Sequence, residues 1–262
     1  MRRIGLGGGR LMGCADDASA ATLLRRALEL GVNLIDTADL YGRGHSEIRI
    51  AQALRPYPAD LVIATKGGFV AGPDGPAPDG SPAHLRAACE ASLRRLGVEA
   101  IDLYFLHTPD PAVPLAESLG ELATLRAEGK IRLVGLSNVS ADQLALATSL
   151  LTVSAVQNRY NVRLRRRFGP DPVLAACERI GIPFMAYTPL AAGRLAQVDE
   201  AAGRVAARHG ATPGQVALAW LLGQSDMTLP IPGTTSVRHL EENLAAEKLQ
   251  LGAEDLTELE RR

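Results

Sequence analysis

The chain has 262 residues and a formal net charge of −1, long enough for one large domain with a buried core. The balanced charge offers no general attraction to nucleic acid or to an anionic membrane. No apolar run reaches the roughly 20 residues of a membrane-spanning helix. The three cysteines, Cys14, Cys89 and Cys177, have neither metal-ligand spacing nor the even count of a disulfide framework. With no continuous apolar segment ahead of the first glycines, a cytoplasmic location is expected.

Short apolar runs alternate with helical patterns along the whole chain. The predicted strands are Arg3–Gly7, Asn33–Asp36, Leu61–Lys66, Ile101–His107, Leu133–Ser137, Ala155–Gln157, Ile182–Tyr187 and Thr228–Ile231. Between them Ala18–Leu30, Pro82–Leu96 and Leu115–Glu128 carry apolar residues at helical spacing. Gly31, Gly97, Gly129 and Gly181 mark helix stops, and Ser81-Pro82 and Thr212-Pro213 mark starts. Continuous apolar strands separated by helices pair in parallel, because both of their faces are covered. Eight of them with no linker or composition break predict a single domain over residues 1–262, an α/β fold of the (β/α)8 TIM-barrel type. A doubly wound sheet is the alternative. Its G-x-G-x-x-G phosphate fingerprint fails here, because the pattern starting at Gly5 and Gly7 meets Arg10 where it needs glycine or alanine. The Pro/Gly/Asp-rich stretch Val70–Gly80 reads as a long loop on the active-site face.

Polar residues stand at or just past the strand ends: Asp36, Tyr41, Lys66 and His107. Of 28 lysines and arginines only Lys66, Lys130 and Lys248 are lysine, so the one at a strand end is informative. Alone, Asp36 reads as a helix cap, Tyr41 as a packing residue, Lys66 as a solvated charge and His107 as a core histidine. A parallel barrel gathers its C-terminal strand ends on one face, and there the four suit carbonyl reduction. A hydride adds to carbon and a nearby acid must protonate the developing alkoxide. A tyrosine, with a reference pKa of about 10, is a weak acid for this task. An ammonium beside it favours the phenolate, a carboxylate can hold that ammonium in place, and a histidine can orient the carbonyl. Metal-dependent barrel chemistry needs several histidines and carboxylates at strand ends. Only His107 among five histidines lies at one, and no metal is expected.

The stretches NLIDTADLYG, VIATKGG, DLYFLHTPD, GKIRLVGLSN, VQNRYN, PFMAYTPLAAGRL and IPGTTSVRHLEEN resemble, in order and spacing, the aldo-keto reductase family over essentially the whole chain. The resemblance implies NADPH-dependent reduction of aldehydes or ketones. Tyr41 would be the general acid, Lys66 and Asp36 its tuning partners, and His107 the orienting residue. It also implies Ser137, Asn138 and Gln157 on the nicotinamide carboxamide and Tyr187 stacked beneath the ring. Thr188, Pro189, Leu190 and Gly193 would surround the pyrophosphate, with Arg194 as a further partner. The segment from Gly233 to Asn243 would hold the adenosine end through Gly233, Thr234, Thr235, Arg238, His239, Glu242 and Asn243. Gly233 stands where relatives often have lysine and His239 where they often have arginine, which leaves NADH open as an alternative cofactor. The N-terminal hairpin usual in the family is expected to be shortened or missing. ALRPYPADLVIATKGG and SPAHLRAACEASLRRLG resemble a bacterial branch with pyridoxal-reductase-like members. A cofactor-binding regulatory subunit is the competing function. The expected partner is a small aldehyde or ketone, with neither nucleic acid nor membrane. The basic run Arg163–Arg167 reads as solvated surface, and oligomeric state is not legible.

Overall fold

In a computed structural model, described for residues 2–72, 75–191 and 199–261, eight parallel strands follow one another around a single sheet. They are β1 (Leu6–Gly7), β2 (Leu34–Asp36), β3 (Val62–Gly67), β6 (Ile101–Leu106), β7 (Ile131–Ser137), β8 (Ala155–Arg159), β9 (Phe184–Tyr187) and β10 (Thr228–Pro230). The Gly5 and Gly7 N–H groups donate to the carbonyls of Pro230 and Pro232, at 3.0 and 3.1 Å. The last strand is thereby joined to the first, as the predicted (β/α)8 barrel requires. Helices α1 (Asp17–Glu29), α2 (His45–Leu54), α3 (Pro82–Leu96), α4 (Leu115–Ala127), α5 (Ala141–Leu150), α6 (Val162–Phe168), α7 (Pro172–Ile180), α8 (Glu200–His209), α9 (Pro213–Gln224), α10 (Val237–Ala245) and α11 (Ala253–Glu260) lie between or after the strands.

Local chemistry explains where these helices begin. Ser81 accepts from the His84 N–H ahead of Pro82 in α3, and Ser140 and Thr212 form capping boxes with Gln143 and Gln215. All four predicted stop glycines adopt left-handed backbone. Only Arg2–Gly5 precede β1 among the described residues, with no hairpin there.

The strand faces divide the core. Outward residues join the helices in one large apolar cluster, while Leu34, Ala64, Phe105, Ala155 and Met185 fill the barrel interior. On β7 the interior position is Gly135, where an added Cβ would lie 2.3 Å from the Phe105 ring. Gly135→Ala is therefore expected to destabilise the fold by about 1–3 kcal/mol through overpacking. Urea unfolding measures this, and a variant of wild-type stability would contradict the packing argument.

Two sequence expectations change. Instead of an irregular loop, residues 70–72 and 75–78 lie in two strands paired antiparallel, β4 (Phe69–Gly72) with β5 (Gly75–Pro78). Prolines discouraged a strand assignment. They occupy only alternate positions of β5, Pro76 and Pro78, so both of their missing N–H groups lie on the same side of the strand. The basic run is also more than solvated surface. Arg165 pairs with Glu260, and Arg166 forms a two-pronged pair with the buried Asp199, tying α6 to α11 and to the start of α8. No helix among the described residues is long and apolar enough to cross a membrane.

Candidate active site

Strand periodicity carries the interior face directly into the site. Two residues beyond the interior positions Leu34, Ala64, Phe105, Ala155 and Met185 come Asp36, Lys66, His107, Gln157 and Tyr187. With a side-chain period of two, each shares its strand's inward face. Apolar layers below and polar ends above are thus consequences of one alternation. The loop after β2 is held by Thr37 N donating to Ala64 O at 2.7 Å and Asp39 N to Lys66 O at 3.2 Å. Thr37 Oγ1 bonds to Ser46 Oγ, which in turn donates to Gly8 O. This framework sets Tyr41 at the barrel mouth.

Lys66 is fully buried and Asp36 is 2% exposed. Lys66 Nζ donates to Asp36 Oδ2 and to Thr37 O, both at 2.7 Å, and lies 5.2 Å from the centre of the Tyr41 ring. Burial pulls the Lys66 pKa down, but the hydrogen-bonded Asp36 carboxylate leads the influences that outweigh it, and the net shift is upward. The other Asp36 oxygen accepts from Gln157 Nε2 at 2.7 Å, so Gln157 supports the ion pair. The charge of Lys66 is the strongest influence on Tyr41 and pulls its pKa down. Burial and Asp36 together outweigh it, and the net shift is upward. The expectation that Lys66 lowers the Tyr41 pKa thus holds for the pairwise effect and reverses in the sum. The phenol is protonated at neutral pH.

The His107 ring meets Phe69 edge-on at 4.8 Å and Tyr41 at 6.2 Å. Its Nδ1 is buried without a hydrogen-bond partner. Burial, and secondarily Lys66, lower its pKa to about 3, so the ring is neutral. The unfolded chain binds a proton near pH 6.5 that the folded chain refuses. Stability therefore falls as pH drops from about 6.5 toward 3, by about 1.4 kcal/mol per unit. Between pH 6.5 and 5, wild type is expected to lose about 2 kcal/mol more than His107→Gln in urea unfolding. Equal losses would remove His107 as the cause.

A cavity of about 560 Å³ runs from Asp36, Tyr41 and Tyr187 across the mouth. Thr188, Pro189 and Leu190 form one wall, and Gly233, Thr234, Thr235, His239, Glu242 and Asn243 form the far end. Ser137, Asn138 and Gln157 do not line it. They brace its inner end: Asn138 Nδ2 donates to His107 O at 2.9 Å and to Ser137 Oγ at 3.2 Å, and Tyr187 donates to Asn138 Oδ1 at 2.6 Å. Arg238 stands outside the lining, against His239 and Glu242. Gly193 and Arg194 lie outside the described residues.

Sequence reasoning missed several wall residues. Gly7, Gly9, Arg10 and the segment Thr212–Gly214 line the cavity. The glycine patch was weighed only as a dinucleotide fingerprint, and Thr212-Pro213 only as a helix start. Asp39 was also given no role; burial, then the Glu47 carboxylate, push it up to about 7.

The fit to an extended dinucleotide rests on these walls. Backbone closes on backbone at Gly7 and Gly233, where an added Cβ would lie 2.6 Å from Ile231 O and 2.8 Å from Gly7 O. The nine-residue helix α10 begins at the far end behind Ser236, which caps His239 N–H. Its first-turn N–H groups and positive dipole end suit an anion.

The aldo/keto reductase family model matches residues 3–261. Pyridoxine 4-dehydrogenase of Escherichia coli strain K12 is 40% identical over 270-odd aligned positions, 99% of this chain and 94% of that protein. An uncharacterised oxidoreductase of Schizosaccharomyces pombe is 41% identical over 99% of this chain and 86% of its own length. Among solved structures, an aldo-keto reductase of Klebsiella pneumoniae in complex with NADPH superposes with a TM-score of 0.83. It is 31% identical, covering 98% of this chain and 89% of that one. The chain belongs to the aldo/keto reductase family of NAD(P)H-dependent oxidoreductases.

Proposed function

We propose that this protein reduces the carbonyl group of a small aldehyde or ketone with NADPH, using Tyr41 as the proton donor. The observation that carries the reading is the buried Lys66–Asp36 pair, with the Lys66 ammonium 5.2 Å from the ring of a protonated Tyr41. NADPH, when bound, supplies the hydride. Tyr41 gives its hydroxyl proton to the carbonyl oxygen as negative charge develops there. Two Lys66 N–H bonds are committed to Asp36 and Thr37, leaving the third for the phenolate that forms. Asp36 keeps Lys66 charged, and Gln157 fixes the second carboxylate oxygen.

The His107 role follows from its tautomer. A proton on Nδ1 would be a buried donor without an acceptor, a costly arrangement. The neutral ring therefore carries its proton on Nε2, from which it can donate to the substrate oxygen and orient it. For the cofactor, Tyr187 supports the nicotinamide end, Thr188–Leu190 the pyrophosphate, and Gly233–Asn243 the adenosine. The NADPH-bound relative from Klebsiella pneumoniae supports NADPH as the cofactor, and His239, in the first turn of α10, lines the far end of the cavity.

An initial-rate assay tests the reading with NADPH or NADH against 4-nitrobenzaldehyde, methylglyoxal and pyridoxal. Oxidation of NADPH in step with carbonyl loss, faster than with NADH, is expected. Tight NADPH binding without turnover of any carbonyl would favour the regulatory-subunit alternative instead.

A further inference from the structure

The loop that presents Tyr41 has a second polar layer behind it, on the outward face of β3. Thr65 and Lys66 are neighbours on that strand and point to opposite faces. Lys66 enters the barrel, and Thr65 Oγ1 donates outward to Glu47 Oε1 at 2.6 Å. Glu47 is fully buried in the first turn of α2 and accepts at its other oxygen from Arg95 Nε of α3. Arg95 gives a further N–H to Ser92 Oγ at 3.1 Å. Glu47 thus accepts at both oxygens, and Arg95 is its counter-charge.

Asp39 stands beside this pair. Its N–H donates to Lys66 O at 3.2 Å, and Tyr41 follows two residues later with its own N–H on Ala38 O. Asp39 Oδ1 is buried and has no hydrogen-bond partner, so a charge placed there is poorly compensated. The groups that act on it come from each surrounding element. Burial and then the Glu47 charge from α2 oppose its ionisation. The neighbouring Leu40 N–H, Arg95 from α3 and Lys66 from β3 favour it, and the balance pushes Asp39 up to about 7. From β6 comes Tyr104, whose hydroxyl is also buried without a partner. Burial, then Cys89, Asp39 and Glu47, hold that phenol well above its ordinary value. Asp39 and Glu47 have one arginine for two carboxyl groups, an arrangement that favours one proton retained.

We infer that Asp39 is a positioning residue for the proton donor: with Glu47 it forms a buried acid pair behind the Tyr41 loop, and the loop holds Tyr41 in register with Lys66 while that pair carries a single negative charge. The inference rests on the carbonyl-reductase reading and adds a control to the same site. When Asp39 ionises, two like charges lie behind the loop and Arg95 is already committed to Glu47. The Asp39 side chain then turns toward water. Its own N–H is the tie to Lys66 O, so the movement loosens the Tyr41 loop from the strand that carries Lys66. A displacement of about 1 Å at a reacting group can cost on the order of 10²-fold in rate. His107 titrates far lower, at about 3, while Tyr41 and Lys66 are both shifted upward. A change in rate between pH 6 and 9 therefore has Asp39 as its source.

The test follows kcat/KM for 4-nitrobenzaldehyde from pH 6 to 9 at saturating NADPH, in wild type, Asp39→Asn and Glu47→Gln. Wild type is expected to fall by about tenfold or more as pH rises, through an inflection at about 7. Asp39→Asn stays neutral at every pH and should lose that inflection. Glu47→Gln removes the opposing charge and releases Arg95, so its inflection should move to lower pH. A residue of purely structural importance would change the height of the profile and leave the inflection in place. Thermal unfolding shows which variants fold, and either one alone decides. A flat wild-type profile, or the wild-type inflection retained in Asp39→Asn or unmoved in Glu47→Gln, would overturn the role of Asp39 and leave the reductase reading intact. Absence of turnover by wild type at any pH would overturn both.

Discussion

Replacing Tyr41 with phenylalanine is expected to lower kcat/KM for any reducible aldehyde by about 10²–10⁴, the usual contribution of a positioned general acid. The substitution removes one hydroxyl and leaves the ring in contact range of Lys66 and His107. NADPH binding, followed by fluorescence titration, should change little beside that loss. The direction of the Tyr41 shift sharpens the prediction. Because burial and Asp36 hold the phenol protonated, the reductive direction begins with the proton already in place across the neutral range. Retention of more than a tenth of wild-type kcat/KM in Tyr41→Phe would assign the proton to another group.

Lys66→Met should be the most damaging change for stability among the site residues. The ammonium is fully buried and bonded to Asp36 and Thr37 O. Removing it leaves the Asp36 carboxylate in the barrel with Gln157 as its remaining side-chain partner. Breaking a buried pair by deleting one member costs about 3–5 kcal/mol. Asp36→Asn combined with Lys66→Met removes the orphaned charge, so the double variant should recover part of that loss in urea unfolding, a coupling that the double-mutant cycle isolates. Activity should not return with it, because the phenolate formed at Tyr41 has then lost its cation. A double variant less stable than Lys66→Met would contradict the pairing.

Much of this was legible from the chain because one pattern encodes both barrel and site. Phe105 and His107, or Ala64 and Lys66, are two residues apart along a strand or just past its end, so an apolar run ending in a polar residue places first the core and then the polar end of the barrel. Long-range competition was not legible. Lys66 beside Tyr41 suggested a lowered phenol pKa, but the outcome depends on burial and on Asp36, which no local pattern reports. Gln157 was matched to the cofactor, and its hydrogen bond to Asp36 joins residues 121 positions apart. The pairing of β4 with β5 was obscured by Pro76 and Pro78, whose alternate positions keep both missing N–H groups on one side of the strand.

The most direct test of the central claim follows the hydride itself. NADPH carrying deuterium at nicotinamide C4, on one face and then on the other, is incubated with the protein and 4-nitrobenzaldehyde. The product alcohol is then analysed by mass spectrometry and NMR. One of the two labelled cofactors is expected to place a single deuterium on the carbinol carbon, while the hydroxyl hydrogen comes from solvent by way of Tyr41. Alcohol without deuterium from either cofactor, or no alcohol at all, would contradict the account.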